Sequence, residues 1–201
     1  MGRGAGADAG FAAAAAPPID PFTPAWLRPL ARGMRLVNRG LVGLGMLALL
    51  AAAGVLTSSV FTRYLLKAST DWQDETAVFC LVGATFLTGA FVQSVRGHIG
   101  IEAVTGLLPG WANRLRQVAV DAMCALFCAF FSWKSWTLCR EAWVDGQTTS
   151  SSWAPPLWIP YGLMALGMSL VTLQIALQLA ASLNAVARGG VAARAAERAG
   201  A

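Results

Sequence analysis

Charge and histidine are both scarce in this sequence. Of its 201 residues only 12% are charged, against about 25% in soluble globular domains, and the chain contains a single histidine. Hydrophobic residues make up 56%, and the mean hydropathy is +0.56. A soluble protein of this composition would have to expose much apolar surface to water. Because the charges are also clustered and leave long uncharged stretches, the composition predicts an integral membrane protein.

Groups that bind cofactors or metal ions are equally scarce. The lone His98 excludes a haem held by two histidines of this chain. The cysteines form no Cys-x-x-Cys pair, and Cys124 and Cys128, one helical turn apart, fit small apolar side chains in a membrane helix better than a metal site. Cys80 and Cys139 fall on the same side of the predicted membrane, which leaves a disulfide between them open. We therefore predict no enzyme, no cofactor and no metal site.

Four apolar segments are long enough to cross a bilayer. They cover residues 40–62, 72–95, 118–138 and 157–183, the third lying within a longer helix from 109 to 139. The first is about 34 Å long as a helix, against a hydrocarbon core of about 30 Å. It also exceeds the apolar core of about 7–15 residues in a signal peptide. We therefore predict an uncleaved first span.

The regions outside the spans differ in composition. Residues 1–33 are rich in Ala, Gly and Pro and are predicted to form a disordered arm, followed by a membrane domain over 34–186 and a flexible tail over 187–201. Between the second and third spans, four apolar residues approximate one helical face: Ile101, Val104, Leu107 and Leu108. The predicted fold is therefore all-α, with four transmembrane helices and a short amphipathic helix at the membrane interface.

Lysine and arginine are unevenly distributed between the two sides of these spans. Eleven of the 15 lie on the side of both termini: Arg3, Arg28, Arg32, Arg35, Arg39, Arg96, Arg114, Arg116, Arg188, Arg194 and Arg198. The opposite side has the other four: Arg63, Lys67, Lys134 and Arg140. Because basic loops stay in the cytoplasm, both termini are predicted to be cytoplasmic. The basic residues flank the spans and do not form a basic surface interspersed with aromatic side chains, which argues against nucleic-acid binding.

Polar residues inside the spans are few. Gln174 and Gln178 share one face of the fourth span, and in lipid their amides need hydrogen-bond partners. We expect that face to contact protein, either another subunit or the chain's own helices. Asp121 and Lys134 lie near span ends and are expected to pair locally or to extend toward the interface. The first span has no carboxylate, which argues against a proton-coupled exporter.

Three short stretches carry a resemblance to a known family. They are Phe61-Thr62-Arg63-Tyr64 after the first span, Trp72-Gln73-Asp74-Glu75 at the start of the second, and Arg96-Gly97-His98-Ile99-Gly100-Ile101-Glu102 at its end. They resemble the Arg-Tyr, Trp-x-x-Glu and Arg-x-x-His-hydrophobic-x-hydrophobic-acidic patterns of the small membrane subunits of TRAP transporters, the DctQ type. The resemblance covers about residues 36–183. No single motif is specific to this family, but the occurrence of all three in this order along four spans is.

The resemblance implies a non-catalytic subunit in a bacterial inner membrane. Its partners would be a large multi-span permease subunit, which carries the substrate and sodium sites, and a periplasmic solute-binding protein. The complex would take up an organic acid, and this chain would hold the large subunit in place. Two other functions stay open: a stand-alone four-span carrier or channel, and a membrane anchor for a redox complex.

The matched motifs and the glutamine pair give ten candidates for contact with the partner subunit or with membrane lipids. They are Arg63, Tyr64, Trp72, Asp74, Glu75, Arg96, His98, Glu102, Gln174 and Gln178. Arg63 is expected to pair with Asp74 or Glu75, joining the first two helices. Arg96 and His98 are expected to bind lipid phosphates or the partner. The simpler alternative is that these charges flank the spans and only set their orientation.

Overall fold

The computed structural model describes residues 23–67, 69–95 and 110–199, and most of these residues are helical. A 3-10 turn, Ala25–Leu27, leads into α1 (Arg28–Phe61), which ends in a π-helical turn, Thr62–Leu66. Three further helices follow: α2 (Asp71–Ser94), α3 (Gly110–Val144) and α4 (Trp158–Ala199). The predicted interfacial helix lies outside the described residues.

Each of the four helices is long and apolar enough to cross a membrane. The candidate spans are Ala25–Leu66, Asp71–Ser94, Leu115–Val144 and Trp158–Ala187, with mean hydropathies of 2.1, 1.7, 1.5 and 1.8. The prediction of an all-α protein with four transmembrane helices is therefore confirmed.

Local sequence explains where the helices begin and end. The left-handed backbone of Lys67, with φ of 49°, ends the π-helical turn after α1. Asp71 and Asp74 lie in the first turn of α2, where carboxylates interact favourably with the helix dipole. Gly146, with φ of 61°, follows α3. Pro160 lies in the first turn of α4, where its missing N–H costs no helical hydrogen bond.

Two helices extend into regions that were predicted as an arm and a flexible tail. α1 begins at Arg28, so residues 28–33, predicted as part of the arm, are helical. α4 continues to Ala199, so residues 187–199, predicted as part of a flexible tail, are helical as well. With 34 and 42 residues these helices are about 51 and 63 Å long, well beyond a hydrocarbon core of about 30 Å. Sequence hydropathy does not register such extensions, because the added turns are rich in Ala, Arg and Gly.

The helices pack in the order α1, α2, α4, α3. The main contacts join α1 to α2, α2 to α4, and α4 to α3. The most apolar stretches of the flanking helices α1 and α3 are each only 11% buried, against 22% in α2 and 28% in α4. At the end of the molecule where α1 begins, hereafter the Arg39 end, Met34 of α1 also meets Ala90 of α2 and Leu177 of α4. The opposite end, where α1 meets α2, is the Arg63 end.

Small residues allow the central helices to approach closely. A methyl group added at Gly167 of α4 would overlap the backbone of Phe86 in α2. One added at Gly45 of α1 would lie 2.5 Å from the Thr88 methyl group. By contrast, nothing lies within 4 Å of a methyl group added at Gly54 of α1. The four cysteines are free thiols in this structure.

Candidate interface at the Arg63 end

Arg63 joins the first two helices at one end of the molecule. Its Nη2 donates to Asp74 Oδ2 over 2.9 Å and to Thr70 Oγ1 over 2.8 Å. The predicted pairing of Arg63 with an acidic residue of the second span is therefore confirmed, with Asp74 as the partner. The two side chains are 61% and 46% exposed, and a pair so open to water contributes only about 0–1 kcal/mol.

Hydroxyl and amide groups complete this contact between α1 and α2. Ser59 Oγ donates to the second carboxylate oxygen of Asp74 over 3.1 Å. Gln73 Nε2 donates to Ser58 Oγ over 3.3 Å, while the buried Gln73 Oε1 accepts no hydrogen bond in the described part of the chain. Six residues form these contacts, and we call them the α1–α2 junction: Ser58, Ser59, Arg63, Thr70, Gln73 and Asp74. It joins the end of α1 to the start of α2.

Aromatic side chains extend outward beside the junction. Tyr64 is 79% exposed and Trp72 is 50% exposed. Leu65 and Leu66 are also largely exposed. Glu75 is half-buried on α2, and its Oε2 has no hydrogen-bond partner in the residues that the structure covers. Of the predicted interface residues, this end of the molecule thus brings together Arg63, Tyr64, Trp72, Asp74 and Glu75.

The connection between α3 and α4 is tied to the same end of α2. Ser152 Oγ donates to Asp71 Oδ2 over 2.5 Å, and the loop is closed by a backbone bond of 2.9 Å from Leu157 N to Gln147 O. The rings of Trp143 and Trp158 meet edge to face with centroids 4.8 Å apart. Such aromatic pairs add about 0.5–1.5 kcal/mol beyond their buried area. These contacts therefore link α2, α3 and α4 at the Arg63 end.

Four amide side chains form a second polar group, near the Arg39 end. Asn38 is 1% exposed, and its Nδ2 lies 3.3 Å from Gln174 Oε1 and 3.4 Å from Ala90 O. Gln93 Nε2 donates to Gln178 Oε1 over 2.8 Å, and Gln178 Nε2 donates to Gln93 O over 2.9 Å. We call Asn38, Gln93, Gln174 and Gln178 the amide cluster. It connects α1, α2 and α4.

Within the chain, the amide cluster supplies the hydrogen-bond partners that Gln174 and Gln178 need, and their contact with a partner subunit or with lipid stays a prediction. Their face does contact protein, as expected, and the contact in this structure is with the chain itself. Sequence reasoning missed Asn38 and Gln93. Asn38 stands one residue before Arg39 and resembles a flanking residue, while Gln93 stands near the predicted end of its span. The sequence did contain one signal for Asn38. It lies only two residues before the first apolar run, which begins at Gly40, so its amide can reach the membrane.

The contact between α3 and α4 is also partly polar. Asp121, 4% exposed, accepts from Gln117 Nε2 over 2.9 Å and from Ser182 Oγ over 2.8 Å.

Farther along the same two helices, Trp136 Nε1 donates to Ser169 Oγ over 3.0 Å, beside a groove of about 430 Å³. The groove runs over residues 129–136 and 169–176, about 10 Å along each helix, which is too short to cross a membrane. Lys134 Nζ lies 5.2 Å from the Trp133 ring centroid, an arrangement typical of a cation–π contact.

The remaining predicted interface residues, Arg96, His98 and Glu102, lie outside the described residues. Their role stays a prediction. In the described ranges no group of three His, Cys, Asp or Glu side chains is placed to hold a metal ion.

Four apolar helices joined by hydrogen-bonded polar side chains define the chain as a multi-pass helical membrane protein. The comparison with family models then assigns it further: residues 52–185 match the model described as Tripartite ATP-independent periplasmic transporters, DctQ component. Because the match covers more than half of the chain, the chain belongs to this family and is a TRAP transporter small permease subunit. This confirms the resemblance seen in the sequence motifs. No curated protein and no solved structure matched the chain.

Proposed function

We propose that the chain is a static scaffold for the large permease subunit of a TRAP transporter in a bacterial inner membrane. The large subunit would carry the substrate and sodium sites and would drive the uptake of an organic acid that a periplasmic binding protein delivers. The observation that supports this most is the order of the helices. A row of four helices with exposed flanks encloses little space of its own and offers long apolar faces to another membrane protein.

The polar groups favour a scaffold over a stand-alone carrier or channel. Those inside the membrane domain are largely engaged between pairs of helices, as in the Gln93–Gln178 and Asp121–Ser182 contacts. A carrier needs polar groups that are free to exchange partners with its solute along a continuous path. Side chains that already bond one another resist movement instead. A redox anchor that holds a haem between two of its own histidines is excluded by the single histidine of the sequence.

Co-expression with the large multi-span permease subunit of a TRAP transporter tests the proposal directly. A stable one-to-one complex in mild detergent, together with no solute uptake by the small chain alone in liposomes, would support the scaffold. A homo-oligomer that moves solute without any partner would replace the scaffold by a self-sufficient carrier.

Replacing Arg63 with alanine should weaken assembly of the complex more than membrane insertion. The substitution frees the Asp74 carboxylate, which a docked partner would then bury without a counter-charge, at a cost of about 2 kcal/mol or more. We expect co-purification of the large subunit to fall at least about tenfold, while the amount of the variant in the membrane stays close to wild type.

Arg140→Ala provides the matched control for this measurement. Arg140 is exposed at the same end of the molecule, on α3, and has no ion-pair partner among the described residues. Its loss should leave co-purification unchanged. Equal recovery of the large subunit with Arg63→Ala and with wild type would remove the junction from the proposed interface.

The orientation with both termini in the cytoplasm rests on the excess of arginine at the Arg39 end. It is tested in a chain whose four cysteines are replaced by alanine. With a single cysteine introduced by Ser150→Cys, in the loop between α3 and α4, a membrane-impermeant maleimide should label intact spheroplasts. With Ala201→Cys it should label only after the membrane is opened. The reverse labelling pattern would invert the proposed topology.

A further inference from the structure

Four arginines lie on one face of the first three turns of α1. Arg28, Arg32, Arg35 and Arg39 are spaced by four, three and four residues, which places them along one stripe about 16 Å long. Arg28, Arg32 and Arg39 are exposed, and Arg35 is half-buried. We call these residues the arginine stripe. It precedes residues 52–185, so the family match does not account for it.

Packing fixes the direction in which the stripe points. An adjacent face carries Leu27 of the preceding 3-10 turn and Ala31, Met34 and Asn38 of α1, and it packs against α2 and α4. Because that face is held by the amide cluster and by the apolar contacts of Met34, α1 cannot rotate freely about its axis. The four guanidinium groups are therefore presented together, to one side of the membrane domain.

A third face of these turns is apolar and exposed. Trp26 is 76% exposed, Leu30 is 44% and Val37 is 46%, and all three lie roughly opposite the arginine stripe around the helix. An exposed tryptophan and two exposed aliphatic residues are unfavourable in water. A helix with such a face and a cationic one is typical of the interface between headgroups and acyl chains.

The guanidinium groups of the stripe lack counter-charges. Within the described part of the chain, none of the four has a carboxylate at ion-pair distance. Arg39 directly precedes the uncharged stretch that begins at Gly40, which places Arg39 where the hydrocarbon core ends and the other three arginines on the headgroup side of that boundary. Guanidinium groups bind phosphate oxygens through two parallel hydrogen bonds, which an ammonium group cannot do.

We propose that the arginine stripe binds the phosphates of anionic phospholipid headgroups, while the exposed apolar side chains on the opposite face, Val37 nearest the hydrocarbon core, pack into the interfacial region. The bound lipids would hold α1 at a fixed depth and tilt. An acidic surface of another protein would account for the arginines, but not for the apolar side chains exposed on the same turns. The proposal requires only that the chain spans a membrane, and it does not depend on the scaffold function.

Native mass spectrometry of the full chain, titrated with phosphatidylglycerol or with phosphatidylcholine, tests the proposal. We expect phosphatidylglycerol to bind more tightly to the wild type. Arg28→Gln combined with Arg32→Gln should lower that affinity about fivefold for each arginine removed, whereas phosphatidylcholine binding should not change. Both substitutions lie at exposed positions near the start of α1, and an unchanged thermal unfolding curve verifies the fold.

A second variant tests whether lipid binding depends on the position of the arginines or only on the net charge. Exchanging Leu30 with Arg32 and Arg35 with Val37 (Leu30→Arg, Arg32→Leu, Arg35→Val, Val37→Arg) keeps the composition and moves two charges to the opposite face. It should lose phosphatidylglycerol affinity as the double glutamine variant does. Wild-type affinity in the exchanged chain would overturn the proposal in favour of net charge alone. If Arg28→Gln with Arg32→Gln keeps the lipid but loses the co-expressed large subunit, the stripe is a protein interface and the proposal is wrong.

Discussion

Replacing Gly167 with alanine is expected to lower the free energy of unfolding by about 3 kcal/mol, because the new methyl group has no room between α2 and α4. It would overlap the carbonyl group and the Cβ atom of Phe86. The obstruction is mostly backbone, which cannot move aside by changing a rotamer. The two central helices must then separate, and this loosens the close packing at Gly83 and Gly89, where an added methyl group would lie 3.2 Å from Leu163 and from Val171.

Unfolding of the purified chain by sodium dodecyl sulfate in mixed micelles, followed by circular dichroism or tryptophan fluorescence, measures this effect. Gly54→Ala is the matched control, since its added methyl group meets nothing within 4 Å. Alanine is the better helix former by about 1 kcal/mol, so the control should be neutral or slightly more stable than wild type. If Gly167→Ala behaves like Gly54→Ala, the close approach of α2 and α4 is wrong.

Replacing Gln178 with leucine should cost about 2 kcal/mol of stability. Gln178 and Gln93 exchange two hydrogen bonds, and Gln178 is only 9% exposed, so the substitution leaves the Gln93 side chain without its partner in an apolar setting. Hydrogen bonds between membrane helices are worth about 0.6–1.7 kcal/mol each, and an unsatisfied buried polar group costs about 1–3 kcal/mol.

A double-mutant cycle isolates this interaction. The combined variant Gln93→Leu with Gln178→Leu removes both polar groups, so it should be more stable than the sum of the two single effects by about 1 kcal/mol or more. The same unfolding assay provides all four corners of the cycle. Strictly additive effects would mean that the two amides do not bond each other in the membrane.

The α1–α2 junction was largely predictable because it is local in sequence. Arg63 and Asp74 are separated by 11 residues across one short connection, so two antiparallel helices bring them together almost regardless of the rest of the fold. The choice of Asp74 over Glu75 was not predictable. It depends on the rotation of α2, which places Asp74 toward α1 and leaves Glu75 on another face.

The amide cluster was predictable only in part. That Gln174 and Gln178 need polar partners follows from their place in an apolar span. Their partners, Asn38 and Gln93, lie 136 and 85 residues away in sequence, and nothing local connects them. Whether such amides bond within the chain or to another subunit depends on which helices are neighbours.

The sequence by itself determined the four spans, the absence of histidine pairs and the motifs of the small TRAP subunit, because length, apolar composition and residue order are local properties. Tertiary structure alone decided the order α1, α2, α4, α3 and the partners of each buried polar group. The physical reason is that lipid tails are as apolar as a protein core, so a helix in the membrane carries no apolar stripe that marks its packed face. The packed face is instead the one where small residues such as Gly167 and Gly45 allow another helix to approach closely and where amides such as Asn38 form hydrogen bonds to that helix.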